Sequence, residues 1–291
     1  MPAVRIRLPA RPENVAVVRQ ALTGLGDAYE LDPDFLSDLR TAVTEACNNA
    51  VIHAYPESDE GLMEIEADAG DGSSVEVVVR DFGTGLQPAT VPPEQRSLGL
   101  GLPLIAALSR SYQIRGGSGF GLEVRMLFTP PTDESPDGRA EHRIGEREPA
   151  STATVPPRTA GMSIMPGPLV SAISGRVTAM LAARADFPLD RLADAVLVSD
   201  AIAAHAGEYM AREDIGVAIS DGDGSLDFRV GPLREGGAQG LLSELEVPGL
   251  GGSLERLVDD VSVESAPAGG DLDSFEAGEY LALRIDKQGQ D

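Results

Sequence analysis

The alternation of apolar and polar positions divides the first half of the chain into recognisable elements. Val4–Leu8 alternates as a short strand does, and Glu13–Leu25 carries a helical period. Asp34 is placed to cap a long helix running to about Ala54. Its apolar residues Leu39, Ala42, Val43, Ala46, Ala50 and Val51 recur at helical spacing. Leu62–Ala67 and Val75–Val79 read as strands, and Gly70-Asp71-Gly72-Ser73 between them is a hairpin signal. A loop bearing glycine and proline runs from Gly83 to Gly99. A helix near Leu102–Ser109 follows, then strands at Tyr112–Arg115 and Leu122–Phe128. This order predicts an α+β sandwich, with helices on one face of a mixed, mostly antiparallel sheet.

From Pro130 to Gly161 the apolar period disappears into proline, serine, threonine and charge, the composition of a linker. Beyond it the plan returns weakly. The segment from Leu192 to Ala206 sits like the long helix, and Asp223-Gly-Ser-Leu-Asp-Phe-Arg-Val resembles the strand that begins near Asp71. The segment from Gly252 to Val263 sits where the helix beginning near Gly101 does, and Tyr280–Ile285 closes the chain as Leu122–Phe128 closes the first half. The expectation is two tandem domains, residues 1–130 and 162–291, separated by a linker over 131–161.

Composition limits the partners. With 47 acidic and 23 basic residues the formal net charge is −24. Such a surface repels phosphate backbones and anionic lipid, so neither direct nucleic-acid binding nor membrane binding is expected; a basic partner protein remains open. The hydrophobic content of 42% is enough for real cores. Cys47 is the sole cysteine, which excludes an intrachain disulfide and fits a reducing compartment. The opening MPAVRIRLPARPENVAVV has no continuous apolar signal core, and no stretch approaches the roughly 20 apolar residues of a spanning helix. A cytoplasmic location is expected.

Three constellations carry chemistry. Glu45, Asn49 and His53 stand four apart on the long helix, along one stripe at about 100° per residue. A carboxylate there can take a proton or orient a water, and an amide oxygen suits Mg²⁺. The same stripe reads equally as an exposed polar flank, with His53 favourable to the helix C-terminus. Asp81-Phe-Gly83-Thr-Gly85 follows a β-branched strand. Either the acid accepts a hydrogen bond from an exocyclic amine such as that of adenine, or it closes a tight turn as an Asx cap. Arg96-Ser-Leu-Gly99-Leu-Gly101-Leu-Pro103 leads glycines into a helix whose free N–H groups would meet a phosphate. It is neither the dinucleotide G-x-G-x-x-G pattern nor a P-loop.

In this order, Glu-x-x-x-Asn-Ala-x-x-His, Asp-x-Gly-x-Gly and Gly-Leu-Gly-Leu resemble the N, G1 and G2 boxes of the GHKL (Bergerat) ATPase fold. Residues 4–128 look most like the anti-sigma-factor serine/threonine kinases, which regulate transcription by partner switching. The resemblance implies ATP and Mg²⁺ as cofactors, with Asn49 coordinating the metal and Glu45 as general base. Asp81 would read the adenine amino group, with Gly83 and Gly85 making room for the base. Gly99 and Gly101 would shape a lid over the phosphates and Arg96 would add charge; His53 completes the helix signature. Partners would be a sigma factor, an antagonist protein, or both.

In the second half, Val198, Ile202 and Ala206 align with Glu45, Asn49 and His53, and Gly231 or Pro232 falls opposite Asp81. This reads as a degenerate GHKL-like copy without a nucleotide site, pairing with the first domain as an intrachain pseudo-dimer. Two other functions share these residues. One is a nucleotide-gated, non-catalytic regulatory binding protein. The other is a histidine-kinase-type catalytic domain, which would need a phosphoacceptor helix; His205 lies in the degenerate helix and His142 in the linker.

Overall fold

A computed structural model describes residues 3–56, 61–70, 73–85, 101–116, 121–130, 142–145, 159–222, 224–247, 252–254, 257–266 and 278–288. The chain divides into two compact units, Met1–Thr152 and Ala153–Asp291.

The first unit begins with strand β1 (Val4–Pro9) and helix α1 (Pro12–Ala28), which opens with proline in its first turn. Helix α2 (Pro33–His53) follows. Its cap is Asp32, not Asp34: Asp32 Oδ1 accepts from the backbone N–H of Asp34 at 2.9 Å and of Phe35 at 3.1 Å. Pro33 lacks an N–H and suits the first helical position, so the acidic cap falls one residue before it and Asp34 lies in the first turn. Phe35, Leu39, Ala42, Val43, Ala46, Cys47 and Ala50 form the buried face of α2. Each large side chain among them contributes roughly 1.5–3 kcal/mol by leaving water.

Strands β2 (Leu62–Asp68) and β3 (Val75–Asp81), helix α3 (Gly101–Leu108), and strands β4 (Ser111–Gly116) and β5 (Leu122–Phe128) complete the sandwich. In the sheet these strands neighbour one another in the order β1-β2-β3-β5-β4, each of these pairs antiparallel. Alternation sorts its two faces. The row Ile6, Ile65, Val79, Val124, Ile114 is apolar and buried. The adjacent row Arg7, Glu64, Arg80, Glu123, Arg115 alternates in charge on the opposite face. Arg80 bridges Glu64 at 2.9 Å, Glu66 at 2.7 Å and Glu123 at 2.7 Å. Asp81 is two residues beyond Val79 and therefore falls on the apolar face.

The segment read as a linker rich in proline, serine, threonine and charge holds strand β6 (His142–Gly145), which pairs in parallel with β4. The outer backbone of β4 offers hydrogen bonds to any extended segment, whatever its side-chain period. The same linker was expected to end at residue 161, but strand β7 (Thr159–Ile164) has already begun. Its buried Ala160, Met162 and Ile164 alternate as a strand's do.

The second unit continues with helices α4 (Pro168–Arg184) and α5 (Leu189–His205), a short 3₁₀ turn, and strands β8 (Ile215–Asp221) and β9 (Ser225–Leu233). Helix α6 (Gly237–Glu244) and the two-residue strands β10 (Glu246–Val247) and β11 (Gly252–Ser253) precede β12 (Asp260–Ala266) and β13 (Gly278–Asp286). Its sheet order is β7-β8-β9-β13-β12, again antiparallel. Among the described residues of the segment 252–263 no α-helix forms where the first half places one: residues 252–253 and 260–266 are strands. Val261 and Val263 favour extended backbone, whereas the helix of this region lies earlier, in a glycine-bearing stretch without a clear apolar period. No described helix is long and apolar enough to cross a membrane.

Candidate functional site

Helix α2 carries the polar pair. Glu45 and Asn49 are half-buried, one turn apart, at the border of its packed face. Gly101, the first residue of α3, lies directly against them. A Cβ built on Gly101 would sit 3.3 Å from Glu45 Oε2 and 3.6 Å from both the amide nitrogen and oxygen of Asn49. Helix α3 is anchored by Ile105, which is fully buried. The N-terminal residue of α3 thus meets a carboxylate and an amide, and glycine leaves a hollow that any side chain would fill. The donor set of one carboxylate, one neutral amide oxygen and nearby helix-start N–H groups fits a hard divalent cation accompanied by phosphate. Among the described residues no cluster of three or more His, Cys, Asp or Glu could hold a metal by itself, and a cation held here would take its remaining ligands from water or phosphate oxygens.

The second group forms at the end of β3. Asp81 is 5% exposed, and its Oδ1 accepts from the N–H of Gly83 at 3.0 Å and of Leu122 at 3.1 Å. The Asx turn weighed for this aspartate is therefore present, and the second bond ties it across to β5. Gly83 is required by close approach: a Cβ there would fall 2.0 Å from the carbonyl oxygen of Ala54. Gly121 takes φ +70°, donates to the Gly83 carbonyl at 3.0 Å, and leaves no room for a Cβ beside Asp81. Gly85 also has positive φ, +71°.

The two groups share α2. Its C-cap residue, Ala54, accepts from Thr84 N at 2.9 Å, so the turn after Asp81 is fastened to the helix bearing Glu45 and Asn49. His53 is exposed in the last turn of α2. Arg96 and Gly99 lie outside the described residues. Cys47 is fully buried, and burial pushes its thiol up to about 12, so it behaves as a packed small hydrophobe. Three contributors were missed in the sequence. Tyr55 acts through its hydroxyl and Thr84 through its backbone N–H and hydroxyl, which no residue pattern announces. Gly121 lies at the end of a glycine-rich hairpin run whose spacing offered a signal.

The helix-borne acid–amide pair, the glycine-led helix and the Asx-turned aspartate all lie within the part of the chain that known families match. Residues 8–128 match the family described as histidine kinase-like ATPase domain. The serine-protein kinase RsbW of Bacillus velezensis is 33% identical over 128 residues, covering 40% of this chain and 79% of that protein. The anti-sigma F factor of Pasteuria penetrans is 34% identical over 125 residues, covering 40% of this chain and 82% of that protein. That of Heyndrickxia coagulans is 29% identical over 133 residues, covering 42% and 89%. The chain belongs to the GHKL family, in its anti-sigma-factor kinase branch. Among solved structures, the histidine kinase domain from the Erythrobacter litoralis EL346 blue-light activated histidine kinase aligns at 21% identity. It covers 33% of this chain and 44% of that one, with a TM-score of 0.27.

Proposed function

We propose that the chain is a Mg-ATP-dependent serine/threonine protein kinase that phosphorylates a small antagonist protein, sequesters a sigma factor, or does both. The observation that carries this reading is the juxtaposition of Glu45, Asn49 and Gly101. Asn49 would hold the cation through its amide oxygen, and Glu45 would take the proton of the acceptor hydroxyl. Retention of a carboxylate beside the amide favours catalysis over nucleotide sensing alone, because a sensor has no proton to accept. Asp81, Gly83 and Gly85 would receive adenine, and Gly99, Gly101 and Arg96 would close over the phosphates, with His53 at the edge of the same helix. Mg²⁺, when bound, neutralises phosphate charge; positioning and charge neutralisation supply most of the rate in phosphoryl transfer.

This arrangement also reconciles an anionic nucleotide with a chain of net charge −24. The positive field is local, from the cation, backbone N–H groups and a helix N-terminus, and the remaining acidity suits a basic partner surface in the cytoplasm. The second unit would be a degenerate copy of the first, acting as an intrachain pseudo-dimer partner. Its matching strand order supports its reading as a copy.

The test is isothermal titration of the full chain with Mg-ATP and Mg-ADP, followed by transfer of labelled phosphate to a small antagonist protein encoded beside it. Saturable binding with transfer to serine or threonine is expected. Binding without transfer to any such protein would favour the non-catalytic regulator, and no binding would remove the nucleotide reading altogether.

A further inference from the structure

We propose that Tyr55 is a positioning residue for nucleobase binding, holding the Asp81–Gly83 turn against α2; this rests on the reading of Asp81 as the adenine contact. Tyr55 is the second residue beyond α2. Its hydroxyl donates to the Leu62 carbonyl at 2.5 Å and accepts from the backbone N–H of Phe82 at 2.8 Å. Phe82 lies between Asp81, whose carboxylate would meet the base, and Gly83, whose missing side chain makes room beside Ala54. One phenol oxygen therefore joins the start of β2 to the middle of the recognition turn.

The ring itself is held in place. It packs on Gly61 so tightly that a Cβ there would fall 2.2 Å from Tyr55 Cδ2. A rigid ring transmits the position of its hydroxyl directly, with little rotamer freedom to absorb displacement. On the other side of Gly83, Thr84 bonds the Ala54 carbonyl through both its N–H at 2.9 Å and its hydroxyl at 3.4 Å. Phe82 and Thr84 are thus fastened to the consecutive residues Tyr55 and Ala54, and Gly83 is suspended between them. The tether acts at the base end, whereas Glu45 and Asn49 lie one to three turns earlier on α2. Loss of the hydroxyl should loosen base recognition and leave the cation and phosphate end in place.

The experiment compares wild type and Tyr55→Phe for binding of Mg-ATP and of Mg-tripolyphosphate, which lacks the base, with thermal unfolding recorded alongside. Phenylalanine keeps the ring on Gly61 and removes only the hydroxyl. The expected result is about tenfold weaker Mg-ATP binding, from loss of one buried hydrogen bond and the turn it orders. Tripolyphosphate affinity should be unchanged, and in the transfer assay KM for ATP should rise with kcat nearly constant. Equal ATP affinity in the two proteins overturns the inference, and so does a parallel loss of ATP and tripolyphosphate binding, which marks a purely structural role. A wild type that binds tripolyphosphate as well as ATP has no base contact at Asp81, and the underlying reading falls with it.

Discussion

Gly121 lies so close to Asp81 that a Cβ on it would fall 2.1 Å from the Asp81 carbonyl oxygen. The approach is backbone to backbone, so no side-chain rotation can relieve it. Gly121 also has φ +70°, a conformation that costs an L-residue roughly 1–2 kcal/mol. Gly121→Ala adds that strain to the overlap, which by itself costs about 1–3 kcal/mol. The variant is expected to lose about 3 kcal/mol of stability by urea unfolding and to bind Mg-ATP more weakly than stability alone explains. Unchanged unfolding would mean that the β5 start does not press on Asp81.

Glu45 and Asn49 should separate by kinetic signature, because one is assigned to proton transfer and the other to the cation. Asn49→Ala removes the amide oxygen and should abolish Mg-ATP binding in titration. Glu45→Gln keeps the shape, so binding should persist while phosphate transfer falls about 10²–10⁴-fold, the usual contribution of a positioned base. Gly101→Val should resemble Asn49→Ala, since its side chain fills the hollow beside both residues. Normal nucleotide affinity in Asn49→Ala would dismiss the site.

Arg80 holds three carboxylates while only 16% of its side chain is exposed. Removing one partner of a buried ion cluster leaves uncompensated charge, so Arg80→Ala should cost about 3 kcal/mol. Glu66 gives this a pH signature. Burial would raise its carboxyl, but the guanidiniums of Arg80 and Arg5 outweigh burial and hold it below the usual range. A depressed folded value stabilises above the unfolded value of about 4.3, and the stabilisation disappears as pH falls through the folded one. Wild type should therefore lose stability on acidification below about pH 5, and Arg80→Ala should show a flatter profile over that range. Parallel profiles in chemical denaturation would show that Arg80 does not set the Glu66 charge.

Cys47 offers a probe of opening. A fully buried thiol held up at about 12 supplies almost no thiolate at pH 8. Native protein should resist a thiol-specific chromogenic reagent, and labelling should rise only with denaturant, tracking unfolding of the first unit. Rapid stoichiometric labelling without denaturant would contradict the packing of α2.

The first sandwich was legible because its strands alternate cleanly and its two long helices repeat at helical spacing. The candidate site could be proposed from the sequence where its chemistry would reside in side-chain type, as at Glu45, Asn49 and Asp81. It was not legible where backbone groups do the work. The phenol of Tyr55, the N–H of Thr84 and the left-handed Gly121 acquire meaning only when β3, β5 and the end of α2 meet. Similarly, β6 forms by pairing with β4 and needs no apolar period of its own. The cap of α2 was misplaced by two residues because Asp32 and Asp34 flank the same proline, and only the bond pattern distinguishes them.

Titration of the full chain should give one Mg-ATP per molecule. In the second unit, the residues aligned with Glu45 and Asn49 are Val198 and Ile202, 0% and 2% exposed. They fill core volume where the first unit presents polar groups. Helix α6 follows β9 as α3 follows β3, but Glu279 accepts from Gly236 N at 2.9 Å and from Ala238 N at 3.3 Å. A carboxylate of the chain itself thus occupies the helix start where a phosphate would have to sit, and those backbone bonds hold its proton affinity below the usual range. Asn49→Ala should accordingly abolish all saturable binding rather than half of it. Restoring the polar identities with Val198→Glu and Ile202→Asn should yield no second site and should destabilise the unit, since both groups would be buried without partners. A residual stoichiometric site in Asn49→Ala would refute the assignment of the second unit as nucleotide-free.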